Sequence, residues 1–166
     1  MGKLLSVTAT TTSEIFALLC YTFLTVICVG FLVFVSSAQR IHTVSVMMDE
    51  DTNAMYVFAK VGGITVKFQI DTGCEVISLA PGDAAKVGDA MTLQNTESDA
   101  EYADGRVMKE HDVVLSELAV GDITVRQVEA TILPEGARES LLGFSFMLRY
   151  SSFGYRVKDH VLYLEE

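Results

Sequence analysis

KFQIDTGCEVISL, Lys67–Leu79, sets a carboxylate, a hydroxyl and a glycine between two runs that read as buried strands. Val66, Phe68 and Ile70 alternate with Thr65, Lys67 and Gln69, the period-2 pattern of a half-buried strand. Val76, Ile77 and Leu79 resume the apolar run on the far side. Asp71 is thereby carried to the end of a strand, and Gly73 permits a sharp turn two residues later. A charge set into or beside a core is costly, so the position calls for a compensating role.

Towards the N-terminus, Ile15–Gln39 holds no charged residue and Ile15–Val35 is almost wholly apolar. At helical rise that run covers roughly 30 Å, enough to cross a bilayer. It exceeds the ~7–15 residues of a signal-peptide core. A transmembrane anchor over 15–35, behind a tail over 1–14, is therefore the expectation. The rival is a secretory signal, with Lys3 as its positive region and Ser36-Ser37-Ala38 as its cleavage site. Lys3 and Arg40 flank the run from opposite sides, so charge leaves the orientation open. Residues 36–53 mix small, polar and acidic side chains and end in Asp49-Glu50-Asp51, the composition of a solvated linker, with one strand over Val44–Met48. Residues 54–166 then make a single domain with one core.

The 166-residue chain carries a formal charge of −10, and its lysines and arginines are scattered. Nucleic acid and anionic membrane surfaces are thus excluded as main partners. Cys20 and Cys28 fall in the apolar run, which leaves Cys74 alone in the domain with no disulfide framework or zinc spacing. His42, His111 and His160 lie far apart, and no nucleophile elbow accompanies them. Neither a metal site nor a cofactor is implied, and each histidine reads as a surface or hydrogen-bonded residue.

The remaining elements are short. Gly62-Gly63 joins Met55–Val61 to Ile64–Ile70 as a tight hairpin. Pro81 and Gly88 bracket a short helical turn. TESDAEYADGRVMKEHDV follows an extended Met91–Asn95 and suits an exposed hairpin with Asp104-Gly105 at its turn. Val113–Val120 and Ile123–Leu133 pair around Gly121-Asp122, with Arg126 and Gln127 marking an irregularity. Leu141-Leu142-Gly143 leads into FSFMLRY, which is helical in length and spacing, and Val161–Leu164 closes the chain as a strand. Many short strands and little helix predict an all-β closed barrel or sandwich with one short C-terminal helix, preceded by the transmembrane helix.

Taken together, Asp-Thr-Gly after an apolar strand and, some seventy residues on, apolar-apolar-Gly opening a helix resemble the retropepsin-like aspartic proteases. FQIDTGCEVISLAPGDAAKVG and SLLGFSFMLRY look like the single-domain, membrane-anchored bacterial members of that clan, and the resemblance runs from about Met55 to Leu164. It implies an aspartic endopeptidase with Asp71 as the catalytic residue. Thr72 would link two active-site loops, and Gly73 would let backbone amides approach the carboxylates. Leu141, Leu142 and Gly143 would pack behind the loop, and Tyr102, Ala103, Asp104 and Gly105 match the flap over substrate. The domain would stand on the periplasmic face of a bacterial inner membrane.

Hydrolysis by carboxylates needs one group ionised and one protonated, which a close pair provides by sharing a proton. One Asp-Thr-Gly supplies half of that, so a symmetric homodimer with an Asp71 from each subunit is expected to act on a polypeptide substrate. The C-terminal strand Val161–Leu164 would find a partner for its exposed edge in the second subunit. The alternative is a non-catalytic dimeric module on the same fold that holds an extended peptide by strand addition. A third reading makes Asp71 a turn residue of a tethered structural domain. Cys74 stands where the clan has alanine or serine, either as a small buried side chain or as a redox-sensitive thiol. Glu75 adds an acidic group that either faces the dyad or points to solvent.

Overall fold

In the computed structural model, which describes residues 16, 17, 19–27 and 40–166, ordered strands begin earlier than the acidic stretch implied. β1 (Ile41–Ser45) and β2 (Met47–Met48) lie inside the segment read as a linker, and the compact unit starts at Arg40. Strand β1 exposes Ile41, Thr43 and Ser45 and buries His42 and Val44. Its pattern is that of a sheet face rather than a tether.

β3 (Met55–Val61) and β4 (Ile64–Ile70) form the hairpin that ends at Asp71. Gly62 and Gly63 turn it with φ of +54° and +89°. A Cβ on Gly62 would sit 2.2 Å from the Cβ of Ala90, so close packing as well as backbone angle demands glycine there. β5 (Ile77–Leu79) is buried throughout and runs into α1 (Pro81–Val87), which proline opens and Gly88 closes at φ +47°. A short 3-10 turn then gives way to β6 (Met91–Glu101), which pairs with β7 (Val107–Val120). β8 (Ile123–Ile132) returns along β7, and Gln127 takes φ +50° at the predicted irregularity. After β9 (Ser140–Leu142) the expected C-terminal helix is a single turn, α2 (Phe144–Met147). β10 (Ser152–Arg156) and β11 (Val161–Glu165) complete the order.

Strands β3, β4, β9, β5, β8 and β7 are hydrogen-bonded in that order, and β7 pairs back onto β3. The circuit closes into a barrel, with β2 and β6 outside it. Its interior is apolar: Val57, Val61, Val66, Phe68, Ile77, Leu79, Leu115, Leu118 and Leu142 are each at most 1 % exposed. Burying each such side chain is worth about 1.5–3 kcal/mol. Phe146 and Met147 of α2 join the same core.

A second sheet, in the order β1-β11-β10, packs on the barrel through Val44, Leu162 and Leu164. It corrects the expectation for the C-terminal strand. β11 lies between β1 and β10 with full antiparallel ladders on both sides, so Val161–Leu164 has no free edge to offer another chain. Its tie to the barrel includes His42, whose Nδ1 lies 3.1 Å from both carboxylate oxygens of Asp122 in the β7–β8 turn. Nε2 lies 3.2 Å from Oε1 of Glu166. Hydrogen bonding to Asp122, then to Glu166, raises the His42 pKa above that of free imidazole, against the opposing effect of burial.

Residues 16, 17 and 19–27 are helical and exposed. The Thr22 and Thr25 hydroxyls donate to the carbonyls of Leu19 and Thr22. Among the described residues no helix is long and apolar enough to cross a membrane. The rest of the expected 15–35 anchor lies outside the described residues, as does the 1–14 tail.

Candidate active site

Strand β4 releases the chain at Asp71 because its hydrogen bonding passes to β9, which runs parallel to it. The Asp71 amide donates to the carbonyl of Leu142 at 3.2 Å, and the Cys74 amide donates back to the Asp71 carbonyl at 3.3 Å. The Gly73 amide donates to Oδ1 of Asp71 at 2.9 Å and orients the carboxylate. Asp71 is half-buried, whereas Thr72 and Gly73 are exposed at the loop crest.

Behind the loop, β9 passes between β4 and β5. Leu142 is fully buried, and Gly143 lies directly against the loop backbone. A Cβ there would stand 1.9 Å from the Val76 carbonyl oxygen and 2.8 Å from that of Cys74. The amides of Phe144 and Ser145 donate to the carbonyls of Cys74 and Glu75 at 2.7 and 2.9 Å. The first turn of α2 thus caps the loop that carries Asp71, and glycine is the residue that lets it approach.

The β6–β7 hairpin turns at Tyr102–Arg106, where the Tyr102 amide donates to the Arg106 carbonyl and Gly105 takes φ +80°. Asp104 accepts from the Arg106 amide at 3.0 Å and from its guanidinium at 2.6 Å. A cleft of about 990 Å³ opens between this hairpin and the Asp71 loop. Asp71, Gly73, Cys74, Tyr102, Ala103 and Leu141 line it together. Thr72, Asp104, Gly105, Leu142 and Gly143 do not. Glu75 is an exposed residue of the lining, at the solvent side of the loop. Further carboxylates come from Asp99, Glu101, Asp112 and Glu129, and among the described residues no lysine or arginine lines the cleft. Its field favours cationic groups.

One group in the lining escaped the sequence reading. Glu110, on β7, is 5 % exposed and accepts two short hydrogen bonds: Tyr102 Oη donates to Oε1 and Thr131 Oγ1 to Oε2, each at 2.6 Å. Ser78 Oγ lies 2.9 Å from Thr131 Oγ1. Cys74 Sγ lies 3.6 Å from Ser78 Oγ and donates to the Val76 carbonyl at 3.1 Å. Burial, and secondarily the bond to Glu110, pushes the Tyr102 phenol far above its ordinary pKa. Burial also pushes the Cys74 thiol up, partly offset by hydrogen bonding to Ser78 and to the Val76 backbone. A protonated thiol is a weak nucleophile, which favours the small-buried-side-chain reading of Cys74. Glu110 is hidden in the run Lys109-Glu110-His111-Asp112, where period-2 alternation marks a face but not which face is buried.

Three comparisons bear on this architecture. The profile of the family described as "gag-polyprotein putative aspartyl protease" matches residues 57–149, more than half of the chain. An uncharacterized protein in the cobV 5′ region of a Sinorhizobium species is 36% identical over 90 residues, which make up 54% of this chain and 38% of that protein. The chain thus spans well under half the length of this curated relative. The crystal structure of a retropepsin-like aspartic protease from Rickettsia conorii superposes with a TM-score of 0.59 at 24% identity, covering 77% of this chain and 93% of that one. The Asp-Thr-Gly loop and the Leu-Leu-Gly segment behind it both lie within the matched residues. The chain belongs to the gag-polyprotein aspartyl protease family, and its fold is that of the retropepsin-like protease from Rickettsia conorii.

Proposed function

We propose that the chain is an aspartic endopeptidase that acts as a homodimer, with Asp71 of two copies forming one catalytic pair. The observation that carries this reading is the placement of the Asp71 carboxylate, oriented by the Gly73 amide, in a cleft beneath a hairpin whose tip shares the lining. In the pair, one carboxylate is ionised and takes a proton from a water molecule, while the other, protonated, donates to the scissile carbonyl. The hydroxide so formed adds to the carbonyl carbon. Collapse of the tetrahedral adduct then delivers a proton to the departing amine. The two groups titrate as a unit, because neighbouring carboxylates cannot both ionise without mutual cost.

A polypeptide substrate in extended form suits a cleft bounded by strands. An apolar, uncharged run over 15–35 supports an N-terminal membrane anchor, which raises the local concentration of copies and favours pairing. Within its described part the two threonine hydroxyls are satisfied by helix carbonyls, as an apolar surrounding requires. Resemblance to anchored bacterial members supports a domain on the periplasmic face of the inner membrane.

The test is cleavage of a denatured protein by the purified full chain at mildly acidic and neutral pH, with Asp71→Asn alongside. Loss of cleavage in the variant supports the enzyme. Cleavage unaffected by the substitution rules out this mechanism, and retention of peptide without cleavage by parent and variant alike supports the binding module instead.

A further inference from the structure

The hairpin over the cleft divides at Glu110. From His111 onward β7 is held by β8, with His111 opposite Ile132, whereas Val107–Glu110 pairs with β6 alone. On the β6 side the register breaks between Leu93 and Glu97, at the same level. Ser98–Glu101 and Val107–Glu110 therefore project beyond the barrel as a two-stranded ribbon, a form that is only marginally stable in water by itself. Glu110 stands at its root. One carboxylate oxygen accepts from Thr131, on the barrel strand β8, and the other from Tyr102, at the ribbon's tip.

Ladder register puts Tyr102, Met108 and Glu110 on one face, since Ala100 lies opposite Met108 and Ser98 opposite Glu110. The Tyr102 side chain is thus folded back along the cleft side of the ribbon to reach its root. A carboxylate this buried is costly unless its oxygens are hydrogen-bonded, and both are taken by hydroxyls at 2.6 Å. Through Thr131 and Ser78 the same contacts reach Cys74, three residues beyond Asp71.

We propose that Glu110 is a positioning residue that braces the flap, fixing the height of its tip above the Asp71 loop by joining Tyr102 to Thr131. The proposal rests on the endopeptidase reading for its effect on turnover, while its effect on the ribbon stands without it. Tyr102→Phe removes the hydroxyl on the tip side and leaves the ring. Glu110→Gln keeps the shape but supplies one acceptor where two are needed.

Two readouts on the full chain test the brace. The first is hydrogen exchange at the amides of residues 98–101 and 107–110. Tyr102→Phe should speed it about tenfold, the equilibrium worth of one charge-assisted hydrogen bond, with no change in β8 or β3. Tyr102→Phe combined with Glu110→Gln should exceed Glu110→Gln alone by less than twofold, because both remove one contact. The second readout is cleavage of a peptide spanning the flap. Tyr102→Phe should raise KM about tenfold with kcat within about twofold of the parent, a split that general loss of stability would not produce. Ribbon exchange equal to the parent's in Tyr102→Phe overturns the brace. Faster ribbon exchange in a chain without Asp71-dependent cleavage upholds the brace and overturns the endopeptidase. An unchanged KM in an active Tyr102→Phe chain overturns the claim that the brace serves substrate.

Discussion

The amide of Asp71 donates to the carbonyl of Leu142 at 3.2 Å, so the first residue of the Asp-Thr-Gly loop hangs from the strand that ends just before Gly143. Two segments some seventy residues apart are thereby made into one piece of backbone. What moves β9 moves the carboxylate.

That dependence makes Gly143 the most sensitive position behind the site. Its missing Cβ would meet the Val76 carbonyl, which is itself held in the loop, so neither side has a flexible end to yield. Gly143→Ala should cost at least about 1–3 kcal/mol, the range for overpacking, and lower the Tm by several degrees. A thermal melt indistinguishable from the parent's would contradict the packing described for this loop.

Pairing of Asp71 residues predicts a stoichiometric effect. When parent and Asp71→Asn chains are co-expressed in equal amounts, random association leaves about a quarter of dimers with two intact aspartates. Activity per total protein should then be about a quarter of the parent's. About half, the value for chains working singly, would exclude a shared site.

His42 predicts a pH dependence of stability. Its pKa is raised in the folded chain by Asp122 and Glu166, relative to about 6.5 for the unfolded chain. The imidazolium contribution is fully present below about pH 6.5 and is lost as pH rises through the higher, folded value. The Tm gap between the parent and His42→Gln should therefore be widest near pH 6 and narrow towards pH 9, measured by thermal melts across that window. A gap that is constant or grows with pH would show that the ring acts by packing alone.

Cys74 should be slow to react. Its raised pKa keeps the thiol protonated at neutral pH, and its proton is given to the Val76 carbonyl. In a chain carrying Cys20→Ser and Cys28→Ser, alkylation by iodoacetamide at about pH 7.5 should be at least tenfold slower than that of a free cysteine, for which the pKa is about 8.5. Cys74→Ala should leave any oxidant sensitivity of cleavage unchanged. Fast alkylation, or protection by the alanine, would restore the redox role.

Local signals were legible where chemistry is local. The Val66, Phe68, Ile70 alternation, the Gly62-Gly63 turn, the Pro81 to Gly88 helix and the turn at Gly105 all follow from period or from a backbone angle that glycine or proline sets. The strand expected over Val44–Met48 caught only the end of β1, whose first residues were hidden because its alternation is inverted, with His42 inside and Ile41 outside. The partners that make a buried histidine acceptable, Asp122 and Glu166, lie 80 and 124 residues away. Glu110 was hidden for the same reason, since Thr131 is 21 residues distant and no spacing rule relates them. Polar residues inside a fold are explained by their partners, and those partners come from topology.

β11, flanked by β1 and β10, gives each copy a finished sheet before it meets another. Given the pairing proposed for Asp71, becoming folded and becoming active are then two separate events with different controls. Temperature and pH govern the first. The second is set by crowding of copies, so a sparse population is intact and idle, and a dense one switches on with no change in any chain's own architecture.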